Sequence, residues 1–171
     1  MRTRRQLPLT TTVISPLPKI PTAQHGCNGC AEKESDRMMS TREKHPKIHR
    51  IALVDNDPRA LDSLSAVIAG KVPTAYVVWT ATSGCEAIER CQNANGHVSL
   101  LILDMSMEGL QGPATCRRLR LMGQRMPILG ATSFSINSYR DKLVEAGAQG
   151  LVGKENADQL AQIIMRMCNG E

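Results

Sequence analysis

The chain has 171 residues and a formal net charge of +5, with plentiful aliphatic side chains and only 2% aromatic ones. This length suffices for one ordinary domain with some sequence to spare, and the core of that domain must be aliphatic. We expect neither a membrane span nor a secretory signal. No apolar run approaches the roughly 18–20 residues that cross a bilayer, and the basic N-terminus lacks an apolar run with a cleavage site.

The positive charge is concentrated in the first 50 residues, which carry ten Lys or Arg and four Asp or Glu. Residues 51–171 carry eleven Lys or Arg and twelve Asp or Glu and are thus nearly neutral. A role in binding nucleic acid would therefore depend on the N-terminal part alone. Residues 1–47 contain prolines and scattered charges without a sustained period, which predicts a disordered basic N-terminal extension. The adjacent Met38 and Met39 leave open a translation start later than Met1.

Six cysteines in a chain without an export signal favour reduced thiols in the cytoplasm over a disulfide framework. His25, Cys27 and Cys30 form one H-x-C-x-x-C motif. A single CxxC without a second pair is a weak indication of zinc or redox chemistry, and unstructured thiols are the simpler interpretation. The other four are interpreted as small packing residues of predicted helices: Cys85, Cys91, Cys116 and Cys168.

From Ile48 onwards, short apolar runs alternate with amphipathic stretches. The run Ile51–Val54 predicts a buried strand. Asp57 followed by Pro58 predicts an N-cap and the first position of a helix, which Gly70 ends. The chain therefore begins its ordered part with one strand and one helix.

The same alternation continues to the end of the chain. Ala75–Trp79 predicts a second strand, and Ser83 with Glu86 forms a capping box for the helix after it. The remaining predicted elements follow in order: a strand at Val98–Leu103, a helix at Pro113–Met122, a strand at Pro127–Ala131, a helix from about Ser135 to Ala146, a strand at Gln149–Val152, and a last helix capped by Asn156 or Asp158.

Five strand–helix units of this kind predict an α/β fold. Strands that are apolar throughout are typical of a parallel sheet covered by helices on both faces, and right-handed crossovers make such a sheet doubly wound. Ligands bind to these sheets at the carboxyl ends of the strands. We therefore look for functional residues at that edge.

Polar side chains follow four of the five predicted strands. They are Asp55, Asn56 and Asp57 after the first strand, Asp104 after the third, Thr132 and Ser133 after the fourth, and Lys154 after the fifth. Carboxylates, a hydroxyl and an ammonium group thus reach one edge of the sheet. Taken alone, each has a simpler interpretation as a helix cap, a strand-end hydroxyl or a solvated charge, and for Asp57 the helix cap is the preferred one.

In this order and at these strand ends, the segments ALVDNDP, LLILDMSMEGLQG, PILGATS and AGAQGLVGKE resemble the receiver domain of two-component response regulators. The resemblance covers residues 48–168, with residues 169–171 as a C-terminal tail. It implies a flavodoxin-like, five-stranded sheet of order 2-1-3-4-5. The likeness is greatest to receivers of helix-turn-helix transcription regulators, although no DNA-binding domain is recognisable in this chain.

The resemblance also implies roles for six residues. The phosphoacceptor is Asp104, the Mg²⁺ ligands are Asp55, Asn56, Asp104 and the backbone carbonyl of Ser106, and the switch and phosphate-binding residues are Thr132 and Lys154. Phosphoryl transfer depends on positioning and on neutralisation of charge, which suits an ionised nucleophile beside a hard cation and a lysine.

The expected function is that of a non-enzymatic phosphorelay receiver, with possible self-dephosphorylation. It takes a phosphoryl group from a sensor histidine kinase and switches a partner or a DNA-binding output. The resemblance also implies a homodimer through the face of the fourth helix and fifth strand. No membrane partner is expected.

Three substitutions depart from the family pattern. Asn56 replaces a second acid, Glu108 a proline in the turn after the phosphoacceptor, and Leu151 a switch aromatic. They leave open a receiver-like binding module that works without phosphorylation. A small metal-dependent phosphohydrolase is a third alternative, and the lack of an acid placed as a general acid counts against it.

Overall fold

The computed structural model describes residues 47–93 and 97–169. The predicted extension up to residue 46 lies outside the described residues, together with its H-x-C-x-x-C motif (His25, Cys27, Cys30) and its methionines Met38 and Met39. Residues 170 and 171 of the predicted tail also lie outside them. Within the described part of the chain, no helix is long and apolar enough to cross a bilayer.

Five strands form one parallel sheet in the order β2-β1-β3-β4-β5, as predicted. They are β1 (His49–Val54), β2 (Ala75–Ala81), β3 (Leu100–Asp104), β4 (Ile128–Thr132) and β5 (Gly150–Gly153). Every residue of β3, β4 and β5 is buried, whereas β2 at the edge of the sheet is mostly half-buried. The fully apolar runs in the sequence correspond to strands that are covered on both faces.

Helices cover both faces of this sheet. They are α1 (Pro58–Lys71), α2 (Gly84–Asn93), α3 (Gly112–Leu121), α4 (Arg140–Glu145) and α5 (Ala157–Asn169). Because side chains alternate along a strand, Ile51 and Leu53 pack in one core with α1 and α5. Ala52 and Val54 pack in the other core, with α2, α3 and α4. The predicted doubly wound, flavodoxin-like architecture is confirmed.

Polar side chains begin the helices where the sequence predicts them. Asp57 is the N-cap of α1, and its Oδ1 accepts a hydrogen bond from the Arg59 N–H at 2.9 Å. Ser83 Oγ accepts from the Glu86 N–H at 3.2 Å, which is one half of the predicted capping box. Asn156 Oδ1 accepts from the N–H three residues on at 3.0 Å, so it is the cap of α5.

The chain after β4 differs from the continuous helix predicted at 135–146. A 3-10 turn at Ile136–Ser138 comes first, α4 begins only at Arg140, and Tyr139 lies between them. The backbone N–H groups of Ser138 and Tyr139 bond to carbonyls three residues back. Serine and asparagine side chains compete for backbone hydrogen bonds, which favours turns over a regular helix.

The four described cysteines are free thiols. Cys116 is buried and its Sγ donates to the Ala146 carbonyl at 3.2 Å, while Cys91 and Cys168 are half-buried. Burial raises the pKa of Cys91 and of Cys116 to about 11. The interpretation of Cys85 as a packing residue is wrong, because this thiol is exposed at the start of α2.

Candidate functional site

The carboxyl ends of four strands lie side by side because these strands are parallel neighbours in the sheet. Asp104 is the last residue of β3, and Thr132 is the last residue of β4. Asp55 and Lys154 directly follow β1 and β5. The fold therefore brings four of the predicted site residues to one edge, as a doubly wound sheet requires.

The Lys154 ammonium joins the two acids of this edge. Its Nζ lies 2.5 Å from Asp55 Oδ2 and 2.7 Å from Asp104 Oδ1. Since both oxygens contact the same nitrogen, they are no farther apart than the sum of these distances. The Asp55 and Asp104 side chains are 1% and 5% exposed and that of Lys154 is 16% exposed, so solvent screens the three charges weakly.

The pKa of Lys154 lies above its ordinary value, although burial opposes the charged form. Desolvation lowers the pKa, and the hydrogen bonds and charges of Asp104 and Asp55 more than offset it. The lysine is therefore protonated at neutral pH. Without this ammonium, two carboxylates about 5 Å apart repel each other by ~3 kcal/mol at an effective dielectric constant of 20. Lys154 is the counter-ion that the two acids share at this edge.

The second oxygen of each carboxylate is held by the loop that follows its own strand. Asp55 Oδ1 accepts from the Asp57 N–H at 3.0 Å, and Asp104 Oδ2 accepts from the Ser106 N–H at 3.0 Å. In both cases the donor lies two residues after the acid, as in an Asx turn. These bonds orient both carboxylates, and Asp57 serves the site as well as capping α1.

Thr132 is fully buried beside the acids. Its Oγ1 accepts from the Phe134 N–H at 3.0 Å, and its carbonyl accepts from the Lys154 N–H at 2.9 Å. The hydroxyl is thus engaged with the loop after β4, while the backbone ties the end of β4 to the lysine. The Phe134 ring is largely exposed on that loop.

Ser106 makes a contact that sequence reasoning missed. Its Oγ lies 2.5 Å from the hydroxyl oxygen of Tyr139, at the junction of the 3-10 turn and α4. The hydrogen bond joins the loop after Asp104 to the segment after β4. No local pattern predicts it, because the two residues are 33 positions apart and a continuous helix was expected at Tyr139.

The acids at this edge offer oxygen ligands, which a hard cation prefers. Asp55 and Asp104 supply two buried carboxylates that contact the same ammonium group, and Asn56, another predicted ligand, directly follows Asp55 and is exposed. Among residues 47–93 and 97–169, no group of three or more His, Cys, Asp and Glu forms a ready-made cation site. The residues fit Mg²⁺, because this ion keeps several waters and takes one or two carboxylates together with phosphate oxygens.

The other two departures from the family pattern differ in their surroundings. Glu108 is exposed on the loop after β3. Leu151 is buried in β5, and a Cβ on Gly130 of the neighbouring strand would lie 3.0 Å from its Cδ1 and 2.7 Å from Leu143 Cδ2. Gly130 therefore leaves room for aliphatic side chains at a position close to the end of β4.

Comparison with known proteins gives a consistent result. The family model of the response regulator receiver domain matches residues 51–165. The response regulator MprA of Mycobacterium ulcerans (strain Agy99) is 34% identical over 118 residues, which are 69% of this chain and 48% of that protein. The chain therefore spans about half the length of the curated relatives it matches.

Solved structures are similar as well. A LuxR-family two-component response regulator from Aurantimonas sp. SI85-9A1 has 26% sequence identity and a TM-score of 0.66, over 72% of this chain and 87% of that one. CheY in the CheX-CheY-BeF3-Mg+2 complex from Borrelia burgdorferi has 15% identity and a TM-score of 0.63, over 68% and 87%. The second likeness concerns the fold alone.

Proposed function

This chain belongs to the family of response regulator receiver domains, and on that premise we propose that it is a phosphorelay receiver. Asp104 takes a phosphoryl group from the phosphohistidine of a sensor histidine kinase. Members of this family are signalling phosphoacceptors, and the match favours neither a phosphorylation-independent binding module nor a metal-dependent phosphohydrolase. The receiver domain extends over residues 48–168 in this proposal.

The Lys154 bridge is the observation that carries the proposal. A carboxylate that attacks phosphorus has to be ionised, oriented and close to positive charge. Asp104 Oδ1 lies 2.7 Å from Lys154 Nζ, and Asp104 Oδ2 accepts from the Ser106 N–H. An aspartate that served only as a helix cap or turn residue would have no need of a buried ammonium shared with a second acid.

The transfer is an exchange of one bond to phosphorus for another. A carboxylate oxygen of Asp104 attacks phosphorus, the bond to the imidazole nitrogen breaks, and its electron pair stays on the kinase histidine. The product is an acyl phosphate that carries about −1.5 to −2 charges at pH 7, by analogy with other protein phosphates. Lys154 then donates to a phosphoryl oxygen while its contact with Asp55 keeps it at this edge.

We propose Mg²⁺ as the cofactor, held by Asp55, Asn56, Asp104 and the backbone carbonyl of Ser106. When bound, the ion would supply positive charge that offsets the negative charge of the transferred phosphoryl group. The similar Borrelia CheY was solved in a complex with BeF3 and Mg²⁺. Because Asn56 lacks the formal charge of a second acid, the affinity for Mg²⁺ is lower than an acidic pair would give.

Thr132 is the proposed switch residue. Its hydroxyl now accepts from the Phe134 N–H, and it turns to donate to a phosphoryl oxygen once Asp104 is modified. The turn changes the loop after β4 and shifts the populations of the surface formed by α4 and β5. This surface is our proposal for switching a partner or a DNA-binding output and for pairing two copies of the chain. Self-dephosphorylation ends the signal.

A cytoplasmic location belongs to the same proposal. The kinase that phosphorylates Asp104 has to present its phosphohistidine in the compartment that contains this chain. The described cysteines are free thiols, as in a reducing compartment.

Acetyl phosphate with Mg²⁺ tests the proposal on the full chain. We expect slower migration on a phosphate-binding gel and a phosphorylated peptide that contains Asp104. Asp104→Asn abolishes both signals because the amide is not a nucleophile, whereas Asp62→Asn, at an exposed carboxylate of α1, retains them. Equal labelling of wild type and Asp104→Asn, or no labelling of either, contradicts the proposal. Turnover of a generic phosphomonoester above background would favour the phosphohydrolase instead.

A further inference from the structure

Ser106 takes part in interactions on two sides of the loop after Asp104. Its N–H donates to Asp104 Oδ2 at 3.0 Å, and its side chain bonds to the Tyr139 hydroxyl at 2.5 Å. Phosphorylation converts the Asp104 carboxylate into an acyl phosphate, whose carbonyl oxygen is a weaker acceptor than a carboxylate oxygen. A change at Asp104 therefore reaches Ser106 directly through the backbone.

Tyr139 connects the other end of this hydrogen bond to the segment after β4. Its N–H donates to the Ile136 carbonyl of the 3-10 turn at 3.2 Å, and its carbonyl accepts from the Leu143 N–H of α4 at 2.9 Å. The half-buried ring packs against the core on the α4 side of the sheet. The hydroxyl thus belongs to the N-cap residue of α4, whose backbone is bonded both to the 3-10 turn and to the first turn of the helix.

The position in β5 that resembles the family's switch aromatic holds Leu151, whose side chain has no hydrogen-bonding group. It is buried against Gly130, where the available space is already filled by aliphatic carbons. Leu151 therefore has no means of sensing a hydroxyl that turns at the end of β4 through a hydrogen bond. Besides the proposed turn of Thr132, a polar contact between the loop after Asp104 and α4 would therefore be a second route of coupling.

We propose that Tyr139 is the positioning residue that couples Asp104 to α4, through its hydrogen bond to Ser106. The proposal rests on Asp104 being the phosphoacceptor. When phosphorylation moves the Ser106 loop, the short hydroxyl–hydroxyl bond carries Tyr139 with it, and the first turn of α4 follows. The two residues thereby do by a hydrogen bond what a rotating aromatic ring at position 151 would otherwise do.

The test compares five proteins, all as the full chain with Mg²⁺, before and after addition of beryllium fluoride, which mimics an acyl phosphate on aspartate. They are wild type, Tyr139→Phe, Ser106→Ala, the double variant that carries both substitutions, and the control Tyr76→Phe. Tyr139→Phe keeps the packed ring and removes only the hydroxyl. Tyr76→Phe makes the same chemical change at an exposed tyrosine of the edge strand β2. The readout is the change of each backbone amide chemical shift on addition of beryllium fluoride.

We expect Tyr139→Phe and Ser106→Ala each to reduce the response of the α4 amides, such as those of Leu143 and Val144, at least twofold. The response of the amides near Thr132 and Lys154 is retained, and Tyr76→Phe behaves as wild type. A merely structural role for Tyr139 would alter the spectra with and without beryllium fluoride alike and leave their difference unchanged. The double variant loses no more of the α4 response than either single variant, because both remove the same bond.

Full α4 responses in Tyr139→Phe and Ser106→Ala would overturn this inference and leave the phosphoacceptor proposal intact. Additive losses in the double variant would also overturn it, since the two residues would then act through separate paths. Absence of any response to beryllium fluoride in wild type would contradict the phosphoacceptor proposal and the coupling together.

Discussion

Replacement of Lys154 by methionine is a direct test of the charge balance at this edge of the sheet. Methionine has a similar length and keeps the packing of the aliphatic stem, but it removes the ammonium between Asp55 and Asp104. We expect the free energy of unfolding at neutral pH to fall, because two buried carboxylates then face each other without a counter-ion. The variant is expected to regain stability when Mg²⁺ is added.

The size of the loss follows from the geometry. The two carboxylate oxygens contact one nitrogen at 2.5 and 2.7 Å, so they are separated by about 5 Å at most. Their repulsion is then ~3 kcal/mol at an effective dielectric constant of 20. This agrees with the roughly 3–5 kcal/mol that the loss of one partner of a buried ion pair costs. The weak exposure of all three side chains leaves little screening to reduce it.

Urea unfolding followed by the fluorescence of Trp79, the single tryptophan, measures the effect. The matched control is Lys71→Met, which removes the surface ion pair between Lys71 and Asp158. Those side chains are 47% and 77% exposed, so the control should lose no more than about 1 kcal/mol. Each protein is measured in a chelator and again in excess Mg²⁺, and the ion should stabilise Lys154→Met more than wild type, since no ammonium competes with it.

The pH dependence of the free energy of unfolding is a second test of Lys154 as the counter-ion. Because the pKa of Lys154 in the folded protein lies above its ordinary value of 10.5, its stabilisation is complete below 10.5 and is lost as the pH rises through the folded value. The difference between wild type and Lys154→Met should thus be constant from neutral pH to about 10.5 and decrease above it. Equal losses in Lys154→Met and Lys71→Met, or equal stabilisation of all three proteins by Mg²⁺, would refute the account of Lys154 as the counter-ion.

Two further predictions concern packing on the α4 side of the sheet. Gly130→Ala should lower the free energy of unfolding by about 1–3 kcal/mol, because its Cβ would lie 2.7 Å from Leu143 Cδ2 and 3.0 Å from Leu151 Cδ1. Urea unfolding checks this against Gly70→Ala, where a Cβ meets nothing within 4 Å, and similar stability of both variants would contradict it. Iodoacetamide at pH 8 should modify the exposed Cys85 and spare Cys116, because burial raises the pKa of Cys116 to about 11 and denies the reagent access. Peptide mass mapping measures the modification of both cysteines. Rapid modification of Cys116 in the folded chain would contradict the prediction that this thiol is buried.

The sequence was sufficient for the sheet because its signals are local. β3 and β4 are short runs in which every side chain is buried, so an uninterrupted apolar pattern predicts them well. Asp57 was recognisable as a helix cap, and Asn156 as one of two candidates, because a cap acts on the N–H two or three residues further along. The prediction of one continuous helix at 135–146 was wrong because it also used only local signals. The apolar spacing there predicts a helix, but the backbone N–H groups of Ser138 and Tyr139 bond to carbonyls three residues back, and a 3-10 turn forms before α4.

For the site as well, the positions of the residues were predictable from the sequence and their hydrogen-bond partners were not. The end of a parallel strand is readable from the sequence, which is why Asp55, Asp104, Thr132 and Lys154 were predicted to share one edge. The partners of these side chains were not readable, because they depend on distances between loops. Ser106 was expected to offer a backbone carbonyl, and the structure adds a hydroxyl contact to a residue 33 positions away. A pattern in one sequence carries no information about such a contact until the fold brings its two loops together.

The hydrogen bonds of the site also determine how large the free-energy difference is between the site as it stands and the proposed phosphorylated arrangement. Both oxygens of Asp55 and of Asp104 have partners, and the Thr132 hydroxyl has one in the Phe134 N–H. If Asp104 is the phosphoacceptor, as we propose, a phosphoryl group there exchanges existing partners for new ones and does not fill a set of unsatisfied buried groups. The free-energy difference between the two arrangements is then the small remainder of several similar interactions. Such a balance is what a switch requires, since a ligand or modification can only move an equilibrium by the difference between its interactions in the two states.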